Sequence, residues 1–197
     1  MKKRIFNFES GYTLIELLAV ITIVVVVGVI VAGILISSLR GGSKSNVLDN
    51  VRQNGNYAVT QMSKMIIYAQ SFNGVSNDGG NSYITDCTIN TPNSPLPSPT
   101  SAPVPILYQY VKITSFDGGQ TIFSCSNSTI ASNGASLIDT STVSLTYCAF
   151  TCIQGDLSQA PTIGINLTLT QNTTSSFAEK QATIPFQTSV TLRNNNL

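Results

Sequence analysis

Residues Leu17 to Ile36 read LLAVITIVVVVGVIVAGILI, twenty positions whose one polar side chain is Thr22. At 1.5 Å rise per residue the run makes about 30 Å of helix, the thickness of a bilayer's hydrocarbon core. A membrane-spanning helix is the reading. A cleaved secretory signal has an apolar region of roughly 7 to 15 residues followed by an A-x-A-like site; here the run is longer and no such site follows. Lys2, Lys3 and Arg4 precede the run, which by the positive-inside tendency keeps the N-terminus cytoplasmic and sends the remaining chain across. Arg40, Lys44 and Arg52, beyond the span, oppose that bias.

The rest of the composition narrows the chemistry. The 197 residues suit one domain with attachments. Only 10% are charged and the formal net charge is +1, which disfavours a basic nucleic-acid binder. There is no histidine, so Ser/His/Asp and Cys/His triads, His-ligated zinc and the commonest general base are excluded. Paired carboxylates, a phosphate-cradling glycine loop and a basic-aromatic stripe are also missing from the sequence. The expectation is a non-enzymatic chain without cofactor, catalytic residues, metal site or specific nucleic-acid partner. The Asp residues past position 72 are scattered without calcium-loop spacing.

All four cysteines, Cys87, Cys125, Cys148 and Cys152, follow the span. An even number on the far side of a membrane suits an oxidising compartment and up to two disulfides. Their separations of 38, 23 and 4 positions contain no C-x-x-C knuckle, which argues against zinc. Three connectivities are open; the preferred one pairs Cys148 with Cys152 and Cys87 with Cys125. That preference requires a turn or bulge between Cys148 and Cys152, because in an uninterrupted strand their Cα atoms would stand about 13 Å apart.

From Val47 to Ala69 apolar residues recur at steps of three and four (Val47, Leu48, Val51, Ala58, Val59, Met62, Met65, Ile66, Ala69), the stripe of an amphipathic helix. Met62, Met65 and Ile66 read as ordinary core packing. Gly41-Gly42 is the expected break or kink between this helix and the span. Beyond Phe72 the chain changes to short extended segments. Ile106–Ile113 and Thr121–Cys125 form a hairpin around Asp117-Gly118-Gly119, Val143–Cys152 and Thr162–Thr170 alternate, and Ala182–Leu192 makes a last strand that Pro185 consigns to an edge or bulge. A Pro- and Ser/Thr-rich stretch, 90–105, reads as an exposed loop. Three Asn-x-Ser/Thr matches, at Asn127, Asn166 and Asn172, are expected by chance in so Ser/Thr/Asn-rich a chain.

Ahead of the span, Glu16 sits at the start of the apolar run. A carboxylate there either rests in the headgroup region near the positive end of the helix dipole or requires a partner within the membrane. The string Gly11-Tyr12-Thr13-Leu14-Ile15-Glu16-Leu17-Leu18, with its short basic leader and long apolar helix, resembles the N-terminus of type IV prepilins and type II secretion pseudopilins. The resemblance implies cleavage after Gly11 on the cytoplasmic side by a membrane-embedded prepilin peptidase, which also methylates the new N-terminal residue, Tyr12. Tyr12 stands where the family usually has phenylalanine and keeps the aromatic ring. Removing residues 1–11 from the 197 leaves 186 and takes the formal net charge from +1 to −1. The resemblance further implies that the Glu16 carboxylate meets the N-terminal amine of a neighbouring subunit, fixing the stagger of a helical filament.

The segment Arg52–Gln70 and the closing Thr188–Asn194 look like minor pilins and pseudopilins of the PilW or J-type group. The implied fold class is α+β and pilin-like: a leader (1–11), a transmembrane half-helix (12–40), its amphipathic continuation (41–72), and an antiparallel β head (73–197) on which the helix packs. The implied partners are the peptidase/methyltransferase, other pilin or pseudopilin subunits, an inner-membrane assembly platform, and membrane lipid before assembly. The implied place is the inner membrane with the head extracytoplasmic, then a surface or periplasmic filament. A non-polymerising, adhesin-like anchored module is the competing expectation.

Overall fold

Thr13 starts the helix. Its hydroxyl accepts the backbone N–H of Glu16 at 3.3 Å and its carbonyl accepts the N–H groups of Glu16 and Leu17, the N-cap arrangement of a Thr-x-x-Glu capping box. From this cap the computed structural model, which describes residues 11–79, 81–88, 105–126 and 129–193, carries one helix, α1, over Leu14–Ile67. The expected break at Gly41-Gly42 is absent, since both residues are helical. Each glycine costs about 1 kcal/mol of helix propensity, but elongation between two established helical stretches adds hydrogen bonds without a new nucleus. The helix ends at Ile67, short of the expected position 72, and Gln70 N–H turns to the carbonyl of Thr114 at 2.7 Å.

The chain divides after Ser43 into two units. The first contains the apolar part of α1. The second begins at Lys44 and contains the amphipathic part with two antiparallel sheets, where the sequence suggested a single one. One sheet is a five-stranded meander in the order β1 (Ser71–Ser76), β2 (Tyr110–Thr114), β3 (Gln120–Ser126), β4 (Thr129–Ser132), β5 (Ala135–Ser136). The other runs β6 (Val143–Ile153), β7 (Thr162–Gln171), β8 (Thr183–Thr191). The layout is α+β.

The central strand β7 shows why the head needs a layer on one face only. Ile163, Ile165, Leu167 and Leu169 are buried, while Thr162, Gly164, Asn166, Thr168 and Thr170 alternate between them on the wetter face. They join Val51, Ala58, Met62 and Ile66 of α1 and Val111, Ile113, Phe123, Ile130 and Phe150 of the other strands in one core. Met62 and Ile66 are core residues, as the helical stripe indicated, and Met65 packs partly buried against them. β8 is an edge strand with Pro185 within it, where a missing N–H is tolerated.

Two features were not legible as hydrophobic pattern. Gly55 lies on the buried stripe of α1 because the ring of Phe186 occupies the space a Cβ would fill. Replacing it with leucine should destabilise the head by about 2 kcal/mol through overpacking, a loss readable as a lowered urea midpoint with an unchanged slope. The β4–β5 hairpin turns on Asn133-Gly134, both with positive φ (50° and 82°), a type I′ turn signature that the sequence does carry.

Both disulfides differ from the preferred pairing: Cys87 bonds Cys152 and Cys125 bonds Cys148, with Cα separations of 5.6 and 5.5 Å. The reason is geometric. Between Cys148 and Cys152 the β6–β7 register advances one residue at a time, so nothing brings two residues of one extended strand, about 13 Å apart, within reach. Spaced by four, the two cysteines face the same side of β6, and each bonds a different element across from it. Cys125 on β3 links the two sheets. Cys87 fixes one flank of the Pro-rich stretch to β6; the other flank, Tyr108, exchanges two 2.8 Å backbone hydrogen bonds with Phe150 of the same strand. Residues 1–10, within the expected leader, the Pro-rich stretch up to 104, Asn127 and Asn194 lie outside the described residues.

Candidate assembly and processing site

The site is the N-terminal edge of α1 and the apolar surface behind it. Gly11 and Tyr12 precede the cap in non-helical backbone. No atom lies within 4 Å of where a Gly11 side chain would begin, and Tyr12 is 82% exposed. The peptide between them is therefore unobstructed by the described residues. Glu16, in the first helical turn, is exposed; among the described residues no cation pairs with its carboxylate. An acidic group in the first turn complements the helix dipole, so Thr13 and Glu16 together terminate the helix cleanly just after the Gly11–Tyr12 bond. Thr13 is the contributor that sequence reasoning missed, although its signal, Thr-x-x-Glu before an apolar run, is plain in the sequence.

Behind the cap, the most apolar 18-residue window of α1 has a mean hydropathy of 3.2 and no buried residue. Leu17, Ile23, Val29, Ile34 and Leu39 are each more than half exposed. The helix is long and apolar enough, by length and composition, to cross a membrane. Contiguous apolar surface of this extent far exceeds the few hundred Å² a soluble monomer leaves bare. It requires either lipid or other apolar helices around it.

The head presents a different surface. Asn54 of α1 accepts the backbone N–H of Asp139 through its side-chain oxygen at 2.8 Å, tying the helix to the entrance of β6. A groove of about 470 Å³ runs along this junction, lined by Gln53, Asn54, Tyr57 and residues 136–139. Among the described residues no three His, Cys, Asp or Glu side chains converge to hold a metal ion. The four cysteines the sequence singled out are all consumed in disulfides.

Three head carboxylates are held below the ordinary aspartate range. For Asp139 the hydroxyl of Ser141 is the main cause, followed by the Ser141 backbone N–H. Asp78 is held chiefly by the Ser76 hydroxyl and Asp86 by that of Thr88. These hydrogen bonds favour the charged form, so the stability they confer is complete above the unfolded aspartate pKa and is lost as pH falls through the lower folded values. The urea midpoint should decline on acidification below about pH 4, and Asp139→Asn should make that decline shallower. An unaltered pH profile in the variant would show that this turn does not couple to folding.

No family model, curated protein or solved structure matches this chain.

Proposed function

We propose that this chain is a structural subunit, a minor pilin or pseudopilin, of a type IV pilus or type II secretion filament. In this reading the leader is removed after Gly11, Tyr12 is N-methylated, and the apolar half of α1 exchanges lipid for the apolar helices of other subunits. The observation that carries it is the unburied apolar helix, capped by Thr13 immediately after an open Gly11–Tyr12 peptide. A soluble head has no use for such a helix, and a filament core built of helices does. Chemistry is supplied by partners: a prepilin peptidase/methyltransferase cuts and methylates, and an inner-membrane platform drives assembly. The head, extracytoplasmic and held by two disulfides, would face outward on the surface or in the periplasm.

The test is the mass and N-terminal sequence of the chain recovered from cells. A mature chain of 186 residues starting at methylated Tyr12, released with filaments on mechanical shearing, is the expected result. A full-length chain that stays with the membrane after shearing, in cells with active peptidase, would instead identify an anchored, adhesin-like module.

A further inference from the structure

Both disulfides end on β6, four residues apart, but they differ in access. Cys87 and Cys152 are 0% and 1% exposed, and Cys125 is 6% exposed. Cys148 is half-buried, so it alone of the four has appreciable contact with solvent. A cavity of about 260 Å³ opens beside the Cys125–Cys148 bond, lined by residues 107–109 on one side, 147–149 on the other, and Asn77. Its walls meet the cystine at both ends. Cys148 is itself a lining residue, and the carbonyl of Gln109, another, accepts the Cys125 N–H at 2.8 Å. Leu107 and Tyr147, each a little under half exposed, also line the opening. Thiol–disulfide exchange requires a thiolate to reach one sulfur of the bond, so access decides which bond reacts and at which end. The buried pair presents neither sulfur to a reagent in solution, whereas the other pair presents Cys148.

The fold on either side of this seam does not depend on the accessible bond. β3 has its ladders to β2 and β4, and β6 its long ladder to β7. The two sheets share one core, the Tyr108–Phe150 backbone bonds tie the start of β2 to β6, and Cys87–Cys152 makes a second covalent tie to β6. Opening Cys125–Cys148 therefore removes one cross-link, from β3 to β6, and leaves the head folded.

We propose that Cys125–Cys148 is a redox switch of the folded head, opened by a dithiol reductant whose thiolate enters the seam cavity and attacks Cys148 Sγ. A bond forms between the reductant sulfur and Cys148 Sγ; the disulfide breaks, and its electron pair leaves on Cys125 Sγ, which takes a proton from water. The second thiolate of the reductant then attacks the first, displacing Cys148 as a thiolate that is protonated in turn. The cystine is reduced by two electrons, and the dithiol is oxidised to its own disulfide. The closed form locks β3 to β6; the open form frees them along the seam. To test this, the full-length protein in detergent micelles is treated with dithiothreitol without denaturant, and free thiols are trapped at intervals with N-ethylmaleimide and located by peptide mass spectrometry. Cys125 and Cys148 should be trapped about tenfold or more faster than Cys87 and Cys152. The selectively reduced protein should keep a cooperative urea transition at a lower midpoint. With glutathione, a monothiol, and acid quenching, the mixed disulfide is expected on Cys148. Leu107→Trp, which narrows the cavity, should slow the opening, and Leu107→Ala, which widens it, should hasten it. Equal rates for the two bonds, earlier opening of Cys87–Cys152, or resistance of both until urea unfolds the head overturns the proposal. So do a mixed disulfide on Cys125, loss of the cooperative transition on selective reduction, and opening rates that follow the urea midpoint of each variant rather than the size of the side chain at 107.

Discussion

A chain carrying Cys87→Ala and Cys152→Ala should lose about 4 kcal/mol of stability. The bond closes a 65-residue separation, and the entropy removed from the unfolded chain grows with the logarithm of loop length. The Cys125–Cys148 bond closes 23 residues, so its removal should cost about 3 kcal/mol by the same relation. Position reinforces the order. Cys87 holds an otherwise irregular segment against β6, where its N–H also donates to the Gln154 side chain at 3.3 Å and Ile84 exchanges two backbone hydrogen bonds with Val75 of β1, whereas β3 keeps its full ladders to β2 and β4 without Cys125. Urea titration of the detergent-solubilised protein measures both losses. A double variant at 87 and 152 more stable than that at 125 and 148 would contradict this account.

The second expected result concerns assembly. Glu16→Ala should leave cleavage after Gly11 intact and reduce the chain's presence in the sheared filament fraction by about tenfold or more, the scale on which an uncompensated charge in a low-dielectric bundle acts. In the filament proposed above, cleavage would leave Tyr12 with a free amine four residues before Glu16, at the positive end of α1. Without the carboxylate of a neighbouring subunit, that cation would sit unpaired among apolar helices. Because Glu16 also occupies the third helical position after Thr13, local capping competes as an explanation, and Glu16→Gln separates the two. Glutamine can serve in a capping box but carries no charge. Loss of incorporation in both variants supports pairing between subunits; normal incorporation of Glu16→Gln would reduce Glu16 to a helix cap, and normal incorporation of Glu16→Ala would remove it from assembly altogether.

How much of this was readable beforehand varied with how local the cause is. β2, β3, β6, β7 and β8 were visible because alternating β-branched and aromatic residues report directly on a one-sided sheet. β1 was not: SFNGVS has no clean alternation, and Gly74 (φ 116°) sits at a register shift where the Ile84 backbone approaches too closely for a side chain. Gly55 was invisible for a related reason. A glycine adds nothing to a hydrophobic stripe, and only the Phe186 ring of a strand more than a hundred residues later explains its place there.

The amino-acid order alone settled the apolar stretch of the helix, its amphipathic stretch with the buried stripe and most strands, since each follows from composition or a periodicity of 3.6 or 2 within a single segment; that the two stretches run on as one helix through Gly41-Gly42 it did not. It also displayed the Thr13–Glu16 start of the helix for a reader who looks for caps. Which cysteines meet, how the strands divide into two sheets, and that Lys44 grips the β7–β8 loop were decided only by tertiary structure. Those contacts join residues 23 to 137 positions apart, and no local pattern encodes which distant partner the closing of a shared core will bring opposite.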